Sequence, residues 1–208
     1  MKDAFVHIGY PKCASTALQS NFFSQLPEVF YLGPYTGGVI FPYYNDDIKY
    51  TVEVDWRLMK DFGYDQAKAA GVIEICYDDF LASGRKTFGF SSEALVFTLH
   101  HDIDVTQKAA RLFNILGHDT KIIMVIRRQF DLIRSIYRNM ILIGLTSSFS
   151  KFVSDMVYNK WRSFVYDLNF SKMYDLYRYH FGKDNVLVLP YEQLKLIPIG
   201  SCRRSPTT

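Results

Sequence analysis

The sequence predicts an α/β fold with a mainly parallel central sheet flanked by helices. Three observations carry that expectation: short apolar runs bounded by turn residues, amphipathic helical stretches between them, and the regular alternation of the two. Ala4 to Ile8 is the first apolar run and stops at Gly9-Tyr10-Pro11, after which a helical pattern runs from Ser15 through Ala17, Leu18, Phe22 and Leu26. Residues 31 to 57 are rich in Gly, Pro, Tyr and Asp and read as a long surface excursion carrying many aromatics. Asp65 to Leu81 suits a helix with Ala69, Val72, Ile73, Cys76 and Phe80 on its apolar side, stopped near Gly84, and a short strand follows at Thr87 to Phe90. Val105 to Leu116 is a second amphipathic helix closed by Gly117, and Lys121 to Ile126 has the unbroken apolar character of a buried parallel strand. Helical patterns then occupy Arg127 to about Ile143, Phe149 to Val157 and Trp161 to Phe181, before a last strand at Asn185 to Leu189. The expected organisation is a single domain over residues 1–196, with an aperiodic, disordered tail at 197–208.

Composition narrows the function classes. With 208 residues, 49% hydrophobic and 22% charged, the chain suits one folded domain with a sizeable core. A formal net charge of +3 is too small and dispersed to call for a nucleic-acid partner. Cys13, Cys76 and Cys202 lack C-x-x-C spacing, which points away from a disulfide framework or zinc site and towards a reducing, cytoplasmic setting. The first residues lead straight into a strand and leave no room for a leader segment, and the longest apolar runs fall short of a membrane span.

The chemistry-bearing residues sit at strand ends. His7 to Gln19 joins a strand to a helix through a turn holding Lys12, Ser15 and Thr16. Backbone N–H groups at a helix start, one ammonium and two hydroxyls form a set suited to a phosphate group. The plainer alternative is that Ser15 or Thr16 caps the helix while Lys12 is a solvated loop charge. A nucleoside-triphosphate loop of the form G-x-x-x-x-G-K-[ST] does not fit, because position 14 is Ala and the lysine comes early, at 12. The strand at 121–126 also ends in Arg127-Arg128, where a magnesium-binding strand would end in an acid.

The segment Pro11-Lys12-Cys13-Ala14-Ser15-Thr16 resembles the 5′-phosphosulfate loop, P-K-x-x-[ST]-[ST], of the sulfotransferases that use 3′-phosphoadenosine-5′-phosphosulfate (PAPS). The resemblance implies that Lys12 contacts the bridging oxygen of the donor and that Ser15 and Thr16 hold its 5′-phosphate. Cys13 and Ala14 replace the commoner Thr-Gly pair within that cofactor-binding loop. Arg127 at a strand end and Ser135 in the following helix resemble the family's 3′-phosphate element, although Gln129 stands where many members have proline. A surface arginine and a solvent-facing serine are the plainer alternative for that pair. Asn185 to Leu194 is similar to a late strand of the family. There, further helix and a basic nucleotide-covering loop follow, so the resemblance is to a C-terminally truncated or altered member.

Glu93, directly after the strand at 87–90, is the candidate catalytic base, with His100 or His101 as its rival and a first-turn acid as the plainer reading. His7, within a strand, reads as a packed core histidine, and Phe130 and Tyr137 as packing groups. The expected activity is metal-free transfer of a sulfuryl group from PAPS to an acceptor hydroxyl or amine, leaving adenosine 3′,5′-bisphosphate. A carbohydrate or glycolipid acceptor is favoured because Tyr31, Tyr35, Phe41, Tyr43, Tyr44 and Trp56 could stack on sugar rings or simply pack a loop. A non-catalytic nucleotide-binding protein of the same fold, and more remotely a nucleotide-dependent kinase, are the alternatives.

Overall fold

Alternation along the first strand sets the layers. β1 (Ala4–His7) turns Ala4 and Val6 to one face and Phe5 and His7 to the other, and all four are buried. In the computed structural model, which describes residues 1–33, 43–97, 102–159 and 164–194, β1 is the middle strand of the sheet. Its companions are β2 (Val29–Tyr31), β3 (Thr87–Ser91), β4 (Lys121–Ile126) and β5 (Val186–Pro190). The order is β2-β3-β1-β4-β5 and every neighbouring pair is parallel, as the apolar runs separated by helices require.

Helices cover both faces. The larger core joins Val6, Ile8, Phe88, Phe90, Ile122 and Met124 to the apolar sides of α3 (Gln66–Ala82), α4 (Val105–Leu116) and α7 (Phe170–Phe181). On the other face a smaller cluster joins Phe5, Phe23, Val29 and Tyr31 to Leu18 of α1 (Ser15–Asn21). Side-chain caps start α3 and α4: Asp65 accepts from the Lys68 N–H at 3.0 Å, and Asp104 accepts from the Thr106 N–H at 2.8 Å. Gly117, at φ 77°, ends α4 as expected.

Three expectations need correction. Residues 31 to 57 are not wholly a surface excursion, because α2 (Asp46–Tyr50) and a π-helical turn (Thr51–Asp55) place Ile48, Val52 and Trp56 in the core. β2 is an unforeseen strand of three residues, and α1 stops at Asn21, short of Leu26. The helix expected from Trp161 begins at Phe170, where the Asn169 side chain accepts from the Lys172 N–H at 3.2 Å. Trp161, His100, His101, Tyr35, Phe41, Cys202 and the tail lie outside the described residues. α5 (Gln129–Leu142) and α6 (Phe149–Tyr158) follow β4, and α8 (Tyr191–Leu194) follows β5. No helix among the described residues is long and apolar enough to cross a membrane.

The strand order creates one special crevice. The chain leaves β1 towards β2 on one side and leaves the adjacent β4 towards β5 on the other. Parallel α/β sheets bind ligands beyond the carboxyl ends of strands that diverge in this way. The loops after β1 and β4 carry Lys12 and Arg127.

Candidate active site

The loop after β1 is held along β4 before it turns. The Ile8 N–H donates to the Ile123 carbonyl at 2.9 Å and the Tyr10 N–H to the Val125 carbonyl at 3.0 Å, which carries the chain along β4 beyond the strand proper. The buried Tyr10 side chain anchors the turn by donating its hydroxyl to the Asp167 carbonyl at 2.6 Å. Lys12 (φ 64°) and Ala14 (φ 66°) are both left-handed, a repeated reversal that curls the backbone into an arc of the kind whose N–H groups converge on anions. Gly9 is required at the base of this arc, since a Cβ there would sit 2.5 Å from His7 Nε2.

Neither hydroxyl caps α1. Ala14 is the N-cap residue and makes no side-chain bond, Ser15 Oγ donates to the Tyr10 carbonyl at 3.3 Å, and Thr16 is exposed. Ser15 thus braces the loop from inside while Thr16 remains free at its mouth. Because α1 has only seven residues, attraction for an anion rests on the loop backbone and Lys12 more than on the helix dipole. The Cys13 thiol is buried in the core, where desolvation pushes it up to about 12, so only the backbone of this residue can meet a ligand.

The second motif meets the first directly. Arg127 Nη1 donates to the Lys12 carbonyl at 2.9 Å, and its guanidinium lies over the Tyr191 ring at 4.6 Å. One of five N–H donors is therefore committed to the loop backbone. Lys12 Nζ donates to Asn139 Oδ1 at 3.2 Å. Ser135 is half-buried one helical turn before Asn139, on the same side of α5. Arg128 turns outward instead, pairing with Asp131 at 2.9 Å.

Glu93 faces the same loop. The Ser92 N–H donates to the His7 carbonyl at 3.0 Å, and Glu93 opens a 3-10 turn (Glu93–Leu95) immediately afterwards. Burial pushes its carboxyl above the ordinary 4.5, while a hydrogen bond with Ser15 and the Lys12 charge pull the other way. Between the loop, this turn and α5 lies a cavity of about 320 Å³, lined among others by Pro11, Lys12, Glu93, Phe97 and Asn139. Arg57 forms part of its wall, fixed by bonds from Nε to Asp102 at 3.0 Å and from Nη1 to Glu53 at 2.8 Å.

His7 packs as its position in β1 implies. It is fully buried, its Nδ1 lies 3.3 Å from Ser91 Oγ, and desolvation lowers its pKa to about 4, so the imidazole is neutral. Of the aromatics of the 31–57 segment considered for ring stacking, Tyr31, Tyr43 and Trp56 are packing groups. Trp56 is buried 5.6 Å from Phe90, Tyr31 is buried, and Tyr43 stacks on Phe30 at 3.9 Å. Phe97 is the aromatic ring that lines the cavity among the described residues. Asn139, Arg57 and Tyr191 were not legible as site residues, although the spacing of Asn139 from Ser135 is a helical i, i+4 pair. No group of three or more His, Cys, Asp or Glu side chains among the described residues could hold a metal ion.

No family model matches the chain, and no curated protein matches it. Among solved structures it is similar to the crystal structure of a sulfotransferase from Alicyclobacillus acidocaldarius. The TM-score is 0.62 at 16% sequence identity, over 97% of this chain and 79% of that one. At this identity the likeness concerns architecture, and the five-stranded parallel sheet with its flanking helices is a sulfotransferase-like fold.

Proposed function

We propose that the chain is a sulfotransferase that moves a sulfuryl group from PAPS to a hydroxyl of a carbohydrate or glycolipid acceptor. The observation that carries this reading is the meeting of three elements at the β1/β4 crevice: the left-handed Lys12–Ala14 loop, Arg127 bonded to that loop, and Glu93 turned towards it. The curled backbone at Lys12 and Ala14 fits a phosphate group. Lys12, Thr16 and the loop N–H groups would hold the 5′-phosphosulfate, with Ser15 bracing the loop. Arg127 and Ser135 would receive the 3′-phosphate.

In the proposed reaction the acceptor oxygen bonds to sulfur as the bond from sulfur to the phosphate oxygen breaks. Glu93 takes the acceptor proton, and the Lys12 ammonium stabilises charge on the departing oxygen. Asn139 occupies one of three ammonium donors, leaving two for that oxygen. A preorganised donor of this kind is worth roughly 3 kcal/mol in a transition state. The cavity beside Glu93 would take the acceptor, with Phe97 as an apolar surface and Arg57, Glu53 and Asn139 as hydroxyl partners. The test is transfer from sulfur-labelled PAPS to a panel of sugars and glycolipids in metal-free buffer. Label on an acceptor hydroxyl is the expected result, whereas phosphorylation of the panel by Mg-ATP would replace this reading with a kinase.

A further inference from the structure

Lys108 of α4 is fully buried, yet its ammonium is completely satisfied. Nζ donates to the Ala94 carbonyl at 2.7 Å, to the Phe97 carbonyl at 2.9 Å and to Asp102 Oδ2 at 2.9 Å. Ala94, Phe97 and Asp102 all line the cavity beside Glu93, so the lysine stands behind the wall and holds it at three points. Asp102, whose side chain is 1% exposed, is also bonded by Arg57. Such a buried pair is a poor device for stability, because desolvating both charges offsets most of their attraction and apolar residues of equal volume serve as well. What three fixed donors do supply is geometry.

The turn that carries Glu93 needs an external hold. Its own bonds, from the Leu95 N–H to the Ser92 carbonyl at 3.3 Å and from the Val96 N–H to the Glu93 carbonyl at 3.4 Å, are at the long end of the hydrogen-bond range. Ser92 provides no side-chain cap. The strong contacts run outward: to Lys108 at the Ala94 and Phe97 carbonyls, to the Tyr177 hydroxyl of α7, which donates to the Leu95 carbonyl at 3.0 Å, and from the Ser92 N–H to β1; of these, only Lys108 joins two points of the turn to Asp102. We propose that Lys108 is a positioning residue, which clamps the Ala94 and Phe97 carbonyls to α4 and so fixes Glu93 against the Lys12 loop. The inference rests on the reading of Glu93 as the base, and it assigns no contact between Lys108 and substrate.

The test compares Lys108→Met, which keeps the stem but not the donors, with the wild type by hydrogen exchange and by kinetics. The double variant Asp102→Asn with Lys108→Met serves alongside it, since it leaves no unpaired buried charge if the single variant fails to fold. The clamp predicts that amide exchange over residues 92–97 accelerates about tenfold or more while β1 and β4 stay protected. It also predicts that kcat for sulfuryl transfer falls about 10- to 100-fold at nearly unchanged bisphosphate affinity. A folded variant with wild-type exchange over 92–97 and wild-type kcat overturns the proposal. So does faster exchange across the whole sheet with a matching loss of bisphosphate affinity, which marks a general structural role. The exchange arm is independent of the reaction: a localised response in a protein that transfers no sulfuryl group would uphold the clamp and remove the proposed activity.

Discussion

As the proposed proton acceptor, Glu93 meets two opposing demands, since burial raises its basicity but disfavours its charged form. The carboxyl is raised above 4.5 by desolvation, so the folded state resists ionising it more than the unfolded chain does. Below 4.5 both states are neutral and the group contributes no difference. As pH rises past 4.5 the unfolded chain ionises first, and stability falls until the folded carboxyl has ionised as well. Glu93→Gln is therefore expected to match the wild type in acid and exceed its stability at neutral pH, while turnover drops about 100-fold or more. Urea unfolding at two pH values and kcat check both parts; a destabilised variant with intact turnover would make Glu93 a turn-capping acid. Ala14 makes a separate residue-scale case. At φ 66° its Cβ is held in a region L-residues avoid, and the commoner residue of the resembling family at this position is glycine. Relief of that strain, less the greater unfolded freedom of glycine, gives an expected gain of roughly 0.5–1 kcal/mol for Ala14→Gly. A loss of stability on unfolding would show that the methyl group packs usefully.

The loop after β1 and the end of β4 act as one element, because Arg127 is bonded to the Lys12 carbonyl. Arg127→Ala should weaken adenosine 3′,5′-bisphosphate about 10- to 100-fold, the cost of a charge-assisted contact, and weaken adenosine 5′-phosphosulfate much less. Equal losses for the two ligands in calorimetry would assign Arg127 to loop support alone. This pairing also shows where sequence reading reaches its limit. Pro11, Lys12, Ser15, Thr16, Arg127 and Glu93 were legible because each follows an apolar run that marks a strand end. Asn139, Arg57 and Lys108 were not, because their roles depend on which distant segments the sheet order brings beside them. β2 is too short, at three residues, for alternation to register. The Gly, Pro, Tyr and Asp content of residues 31–57 masks a helical signal, since Ile48, Val52 and Trp56 recur every fourth residue and form a buried seam. The break before α7 was hidden because the amphipathic pattern runs through Asn169, whose capping bond is a property of the folded chain.

At the scale of the molecule, a net charge of +3 gives little long-range attraction for an anion, so the proposed nucleotide binding rests on the crevice between β1 and β4. The sulfotransferase-like sheet order brings the Lys12 loop and Arg127 together at that crevice, and the cavity beside Glu93 opens from the same loop. The proposed function requires that this crevice bind a nucleotide carrying two separate phosphates. Calorimetric titration with adenosine 3′,5′-bisphosphate in metal-free buffer measures that most directly. The prediction is saturable one-site binding, tighter than that of Mg-ATP, which at a ligand concentration about one hundred times Kd stabilises the fold by about 2.7 kcal/mol. Tighter binding of Mg-ATP, or no heat and no stabilisation from the bisphosphate, would contradict it.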